Sequence, residues 1–354
     1  MSPRRTSDYD ESDVRIRPSR RGSRPRSKDR PTHEDAIPGF VTAVDRGRYT
    51  VLVGEGVGGR KMPERVVTAM KARELGRKGI VVGDEVGLVG DTSGSPDALA
   101  RIVRLTPRRS VLRRTADDTD PVERVIVANA DQLVIVSALA NPEPRPRLID
   151  RALVAAYDAG LDPLLVLTKA DLLDPAQFLA TYAPLDVPYV VTSTKGVDDE
   201  FGGGFEGLEA LQDKLIGRVS VFVGHSGVGK STLVNGLVPD AQRAIGVVNV
   251  VTGRGRHTST SAVALRLPGD QGWVIDTPGV RSFGLAHVDL HRIIEHFPDL
   301  EPGTAGCPRS CSHDEEECAL EEWVASGHAG PAGASRLESL RRLLRARSGE
   351  ADSG

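Results

Sequence analysis

Cysteine is nearly missing from this 354-residue chain, and its three copies, Cys307, Cys311 and Cys318, fall within twelve residues. An odd number packed that tightly argues against a disulfide framework and for a metal site. No apolar run is long enough to span a bilayer, and the first residues lack the apolar core of a signal peptide. A soluble, cytoplasmic protein without a membrane partner is the expectation. Internal repeats are absent too, which removes repeat architectures. No sign of charge dominates: 46 Lys or Arg against 49 Asp or Glu leave a formal net charge of -3. That balance hides an uneven spread, because the first thirty residues hold ten Arg or Lys against five Asp or Glu and almost nothing apolar. Such a segment cannot bury enough surface to offset its ordering entropy. Residues 1–34 therefore read as a disordered basic tail, either solubilising or in contact with nucleic acid.

What is present has three textures. From about Ile37 to Arg104 the chain shows short strands with Gly-rich breaks: Phe40 to Val44, Arg48 to Val53, Val82 to Val89 and Ala98 to Val103. This spacing suggests a small OB-type β-barrel. Basic loops are expected around it, with Arg60, Lys61, Arg65, Lys71, Arg73, Arg77 and Lys78. Aromatics are few beyond Phe40 and Tyr49, so phosphate contact rather than base stacking would dominate any nucleic-acid affinity. After a basic connector (Arg108, Arg109, Arg113, Arg114) apolar strands alternate with helices. Strands are expected at Gln132 to Val136, Leu164 to Leu167, Tyr189 to Val191, Val219 to Val223 and Trp273 to Ile275, with helices over Pro146 to Ala159 and Phe205 to Ile216. Continuous apolar strands with crossover helices predict a mostly parallel sheet covered on both faces. From about Val288 come a short helix, the cysteines and a basic helix around Ser335 to Arg347.

Four motifs carry chemistry. Gly224-His225-Ser226-Gly227-Val228-Gly229-Lys230-Ser231-Thr232 matches the phosphate-binding loop, follows a strand and opens a helix. Its glycines let backbone N–H groups wrap phosphates, Lys230 would reach the β- and γ-phosphates, and the Ser231 hydroxyl would ligate Mg²⁺. Asp276-Thr277-Pro278-Gly279 ends a later strand, where Asp276 would hold Mg²⁺ and the Gly279 amide would sense the γ-phosphate. Thr168-Lys169-Ala170-Asp171 also ends a strand. The Asp171 carboxylate could accept from guanine N1–H and N2, a donor pair adenine lacks, while Lys169 would lay its stem over the base. Ser193-Thr194-Lys195 after the next strand would contact the base oxygen. Between phosphate loop and Asp276 lies Gly253 to Thr260, where one of Thr258, Ser259 and Thr260 would close on Mg²⁺. His257 in that loop either positions the attacking water or stabilises the loop. Val280, following Gly279, stands where many switch GTPases carry a Gln, so slow intrinsic hydrolysis is expected. Cys307-x3-Cys311-x-His313-x4-Cys318 suits a tetrahedral, closed and therefore structural Zn²⁺ site, with the acidic run Asp314 to Glu317 as a solvated loop.

The base motif comes before the phosphate loop, the reverse of an ordinary guanine-nucleotide switch. With a barrel ahead and a Cys/His cluster behind, the chain resembles the ribosome small-subunit-dependent GTPase A family over roughly Ile37 to Arg347. The resemblance implies an α/β fold: a circularly permuted P-loop GTPase domain flanked by an N-terminal OB-type barrel and a C-terminal zinc-binding helical domain. The expected division is 35–110 for an RNA-binding OB domain, 111–287 for the GTPase domain and 288–354 for the zinc domain with its C-terminal helix. It further implies a monomeric enzyme hydrolysing GTP to GDP with Mg²⁺ and one structural Zn²⁺, with Lys230 and His257 in catalysis. Its partners would be the small (30S) ribosomal subunit and 16S rRNA, which stimulate hydrolysis late in subunit maturation. Two departures stand out: Thr168 replaces the usual Asn, and the cysteine spacing is one residue tighter than usual. A P-loop ATPase or small-molecule kinase, and an RNA-binding module without turnover, are the alternative functions.

Overall fold

Strands of both textures join one eleven-stranded sheet in the computed structural model. The structure describes residues 33–54, 63–76, 79–114, 123–194, 206–239, 241, 262–277, 283, 285, 287–315 and 317–348. Every element below lies in the unit spanning Asp35–Gly354. Five strands come first: β1 (Ile37–Asp45), β2 (Arg48–Val53), β3 (Arg65–Lys71), β4 (Glu85–Gly90) and β5 (Ala100–Leu105). They run in the order β1-β2-β3-β5-β4, and β4 pairs back onto β1, closing an OB-type barrel. Only β3 and β5 are parallel among these pairs. Val41, Val51, Val67, Leu88 and Ile102 fill the interior.

Two expectations fail in this region. Arg65 and Lys71 are not loop residues but the two ends of β3, whose Val67 and Ala69 face the core while Met70 faces out. Flanking charge masked a real alternation. Likewise Arg113 and Arg114 belong to β6 (Val111–Arg114), which pairs with β7 (Arg124–Ala128) in a separate two-stranded sheet. Arg60, Lys61, Arg77 and Lys78 lie outside the described residues.

The second half of the large sheet is built from β8 (Gln132–Ala138), β9 (Asp162–Thr168), β10 (Tyr189–Val191), β11 (Arg218–Gly224), β12 (Val263–Arg266) and β13 (Gly272–Asp276). The order β10-β9-β8-β11-β13 is parallel throughout, and β12 is antiparallel to β13. Helices α1 (Pro146–Ala159), α2 (Ala176–Tyr182), α3 (Leu208–Leu215) and α4 (Lys230–Leu237) cross between strands. Every residue of β8 is buried because both faces are covered. Leu133 and Ile135 pack toward α1, whereas Val134 and Val136 share a core with Leu211 of α3 and Leu233 of α4. The barrel joins this sheet through β1 and β12, at Ala43 opposite Val263. A bridge between Val82 and Val127 reinforces the joint. Gly83 beside it has φ +90°, and a Cβ there would meet the Ala128 carbonyl at 2.0 Å.

The C-terminal lobe holds α5 (Leu290–Ile294), a 3₁₀ turn (Glu301–Gly306), α6 (Ala319–Ala325) and α7 (Gly333–Ser348). Leu340, Leu343 and Leu344 of α7 enter the same core as Ile149, Leu153 and Ala156 of α1. Helix α1 is therefore covered on both sides, which explains why nine consecutive residues from Ile149 to Tyr157 are buried.

Candidate nucleotide site and Cys/His centre

Strand β11 ends at Gly224 and α4 begins at Lys230, so the phosphate-loop residues form the strand-to-helix turn. Gly224 sits tight against β8, where a Cβ would lie 2.6 Å from the Val136 carbonyl oxygen. Gly227 and Gly229 adopt φ of +83° and +91°, which turns successive backbone amides toward one side ahead of the α4 N-terminus. Val228 is the loop's anchor, buried in the core under α4. His225 stays at the surface with Nδ1 2.9 Å from the Ser226 carbonyl.

Asp276 enters the site on the neighbouring strand, in register with Phe222 of β11. Its Oδ1 accepts from Lys230 Nζ in an ion pair whose side chains are 12% and 18% exposed. Thr277, fully buried, donates its hydroxyl to the Phe222 carbonyl at 2.7 Å and pins the chain just past Asp276. Gly279 lies outside the described residues, as do His257, Thr258, Ser259, Thr260 and Lys195.

The base-motif residues come together on the other flank of the loop. Thr168, Lys169, Asp171, Leu172, Thr192, Ser193, Thr194, Gly229, Thr232 and Leu233 line one open cleft of about 370 Å³. Ser193 Oγ lies 3.3 Å from Asp171 Oδ1. Thr168 does not face that cleft with its hydroxyl. It donates to the Val228 carbonyl at 2.6 Å and ties the end of β9 to the phosphate loop. Lys169, at φ +60°, reaches across to the Asn141 carbonyl and, at 3.0 Å, to the Gly227 carbonyl. Base cleft and phosphate loop are thus locked together by two side chains of one tetrapeptide. Asn141 carried no motif signal in the sequence; it stands in the turn after β8 and serves through its backbone.

The Cys/His cluster gathers at the start of α6. All four ligand atoms of Cys307, Cys311, His313 and Cys318 lie within 4.8 Å of one another. A tetrahedral zinc with Zn–S near 2.3 Å and Zn–N near 2.0–2.1 Å needs S···S edges of about 3.8 Å and S···N edges of about 3.5 Å. Cys307 Sγ is 3.8 Å from Cys318 Sγ and 3.5 Å from His313 Nδ1, and Cys318 Sγ is 3.7 Å from that same nitrogen. The donor set therefore fits zinc, with Nδ1 as the histidine donor. Burial pushes the Cys311 thiol up to about 11 and holds the His313 imidazole below its ordinary value, hence neutral with a free lone pair. The support behind the cluster was not expected. Asp314 is exposed in the expected loop, yet both its carboxylate oxygens receive Arg345 of α7 at 2.9 Å. Arg341 of α7 donates to the His313 carbonyl at 3.0 Å and pairs with Glu321. These arginines read in the sequence only as a basic helix.

A phosphate loop on β11, an acidic strand end on β13 and a base cleft contributed by earlier strands define a P-loop GTPase of circularly permuted order. A protein-family model described as RsgA GTPase matches residues 105–286. A "Small ribosomal subunit biogenesis GTPase RsgA" from Chromohalobacter salexigens is 39% identical over 274 residues, covering 75% of each chain. One of the same name from Ectopseudomonas mendocina is 40% identical over 273 residues, 75% of this chain and 74% of that one. The chain belongs to the RsgA GTPase family, and it is a GTP-hydrolysing enzyme. Among solved structures, YjeQ from Thermotoga maritima aligns with a TM-score of 0.60 at 26% identity, covering 89% of this chain and 99% of that one. YloQ, described as a circularly permuted GTPase, shares the fold with a TM-score of 0.58 at 20% identity, covering 91% and 99%. Among the described residues no helix is long and apolar enough to cross a membrane.

Proposed function

We propose that this enzyme binds GTP with Mg²⁺ across the loop Gly224 to Thr232 and acts in biogenesis of the small ribosomal subunit. The observation that carries the reading is the pairing of Lys230 with Asp276 beside the cleft that holds Asp171. In this reading Lys230 leaves the carboxylate for the β- and γ-phosphates, and Asp171 accepts the N1–H and N2 donors of guanine. Ser193 and Thr194, with Lys195, border the base; Ser226, Gly227, Val228 and Gly229 supply amides, with His225 and Thr232 at the margins. Bound Mg²⁺ would neutralise charge developing on the phosphate oxygens, held by the Ser231 hydroxyl and through Asp276. Gly279 would sense the γ-phosphate, and one of Thr258, Ser259 and Thr260 would close on the site. His257 is assigned to water positioning, a task Val280 cannot perform.

Cys307, Cys311, His313 and Cys318 would hold one structural zinc, since four protein donors leave no position for a substrate. Residues 35–110 are assigned to rRNA contact, 111–287 to turnover and 288–354 to docking. The 30S subunit with its 16S rRNA is the partner that stimulates hydrolysis, GTP turnover is coupled to release from it, and the enzyme works as a cytoplasmic monomer. The test is GTP turnover with and without purified small subunits, with Lys230→Ala as the control. Stimulation by subunits that Lys230→Ala abolishes is expected. Equal displacement of labelled GTP by ATP, or turnover that subunits leave unchanged, overturns the reading.

A further inference from the structure

Arg151 is a buried cation at the centre of α1, 6% exposed. Its guanidinium bridges two carbonyls far apart in sequence. Nε donates to Phe283 O at 2.8 Å, Nη2 donates to the same oxygen, and Nη1 donates to Ala346 O at 2.7 Å. Ala346 lies on α7. Phe283 stands seven positions after Asp276, and its buried ring lines a pocket with Ile149 and Ala152 of α1 and with Val223, Gly224 and His225 at the root of the phosphate loop. An apolar side chain of the same length would fill this space without desolvating a charge. The guanidinium is useful for what it holds in register.

The other polar face of α7 grips the Cys/His cluster. Arg341 donates to the carbonyl of His313, and Arg345 takes both oxygens of Asp314. Phe283, which lines the same pocket as the phosphate-loop root, is thus joined through Arg151 to α7, and α7 is joined to His313. We infer that Arg151 is a positioning residue for turnover: it fixes Phe283 to α7, so that the phosphate end of the nucleotide site and the Cys/His lobe shift together. This rests on the GTPase reading proposed above. A lysine cannot replace the fork, because one ammonium lacks the planar, divergent donors that reach both carbonyls.

The experiment uses zinc-loaded, full-length wild type, Arg151→Met, Arg151→Lys and Arg341→Gln. Three quantities are measured: affinity for GDP and a non-hydrolysable GTP analogue, kcat and KM with purified small subunits, and hydrogen exchange of α7 amides in each nucleotide state. In the wild type the two states should differ in α7 exchange by about tenfold, inside the 5- to 150-fold span usual for coupled sites. Arg151→Met should bring that ratio to about one and lower kcat about tenfold while nucleotide affinity and KM stay within about twofold. Arg151→Lys should fall between. If Arg151→Met does not fold, Arg341→Gln loosens α7 from its other end and should likewise collapse the ratio. A wild-type exchange ratio retained in the variant that folds overturns the inference, and so does loss of affinity in parallel with kcat. Wild type that turns over no GTP sinks the GTPase reading itself; wild type that turns over GTP with α7 blind to the nucleotide sinks the coupling alone.

Discussion

Thr168→Val is the most exacting test of how the base cleft is tied to the phosphate loop. Valine keeps the β-branched shape at the buried end of β9 and removes only the hydroxyl, which now donates to Val228 O at 2.6 Å. Two terms follow. The lost bond is worth about 1 kcal/mol net, and stranding the Val228 carbonyl next to a methyl adds desolvation, so about 1–3 kcal/mol is expected in total. Part appears as stability: at roughly 2–4 °C per kcal/mol for a domain of this class, a fall in Tm of about 2–6 °C. The rest appears in binding, because the tether holds the loop in the shape that wraps phosphates. A share of about 1 kcal/mol raises the GTP Kd roughly fivefold. Preference for GTP over ATP should not change, since Asp171 is untouched and Lys169 still reaches Gly227. Calorimetric titration with GTP, GDP and ATP beside a thermal melt reads all of it. Discrimination against ATP that falls with the GTP affinity would show that Thr168 reads the base itself, and an unchanged Kd and Tm would show that the tether carries no load.

Further outcomes are open to simple assays. Asp276→Asn keeps the shape of the β13 end but takes the countercharge from Lys230, whose side chain is 12% exposed; turnover at saturating GTP should drop by at least about a hundredfold, read by phosphate release, with the melting curve within a few degrees of wild type. Cys318→Ala, or chelation by a strong zinc ligand, should unwind the start of α6 and release Arg341 and Arg345, giving loss of zinc by atomic absorption and protease cleavage within 307–325 while GTP still binds. Alkali should also part α1 from α7. Burial pushes Tyr157 up to about 12 and raises Tyr182 as well, where the Asp150 carboxylate adds to the effect of burial. Both phenols hold their protons longer folded than unfolded, so stability is constant below the unfolded value near 10 and falls as pH rises above it. Tyr182→Phe should shift the onset of alkaline unfolding to higher pH, as followed by circular dichroism.

Much of the architecture was legible because its signals were local. The phosphate loop, Asp276, Thr168 to Asp171 and the Cys/His cluster each declare themselves within a dozen residues, and β8 shows its double burial in the apolar run Leu133 to Val136. Helix α1 announced both ends, with Pro146 in its first turn and Gly160 in the left-handed cap. The losses follow from the same logic. Strand β3 hides an alternation of seven residues between Arg65 and Lys71, and β12 has only four residues, too few to show a period. Pairing partners 46 to 195 residues apart, such as Lys230 with Asp276 or Arg151 with Ala346, exist only once the chain is folded. The arginines of α7 were visible as charge and invisible as clamps, because what each one grips is a carbonyl or a carboxylate on another element.

The kinds of joint on the two sides of the nucleotide site decide which side can respond to it. The barrel is attached by backbone: Ala43 pairs with Val263, Val82 bridges Val127, and Ala128 N donates to Val82 O at 3.0 Å. Asp84, fully buried, takes Arg108 with both oxygens, and Phe40 packs on Trp273 with ring centroids 4.9 Å apart. To move the barrel would break sheet pairing and strand buried donors, a cost the binding of one phosphate group cannot meet. The Cys/His lobe meets the GTPase sheet differently. Its contacts include the leucines of α7 on α1, a stack of His296 on Tyr157 and a row of arginine clamps: Arg336 to Asp299 and Pro184 O, Arg342 beside Asp150, Arg151 to Ala346 O. Guanidinium forks can trade one oxygen for another within a small displacement, and packed helices slide without losing their internal hydrogen bonds. The permuted order puts this second kind of joint downstream of Asp276. In the proposed cycle the barrel is therefore the fixed grip and the Cys/His lobe the part that nucleotide state moves.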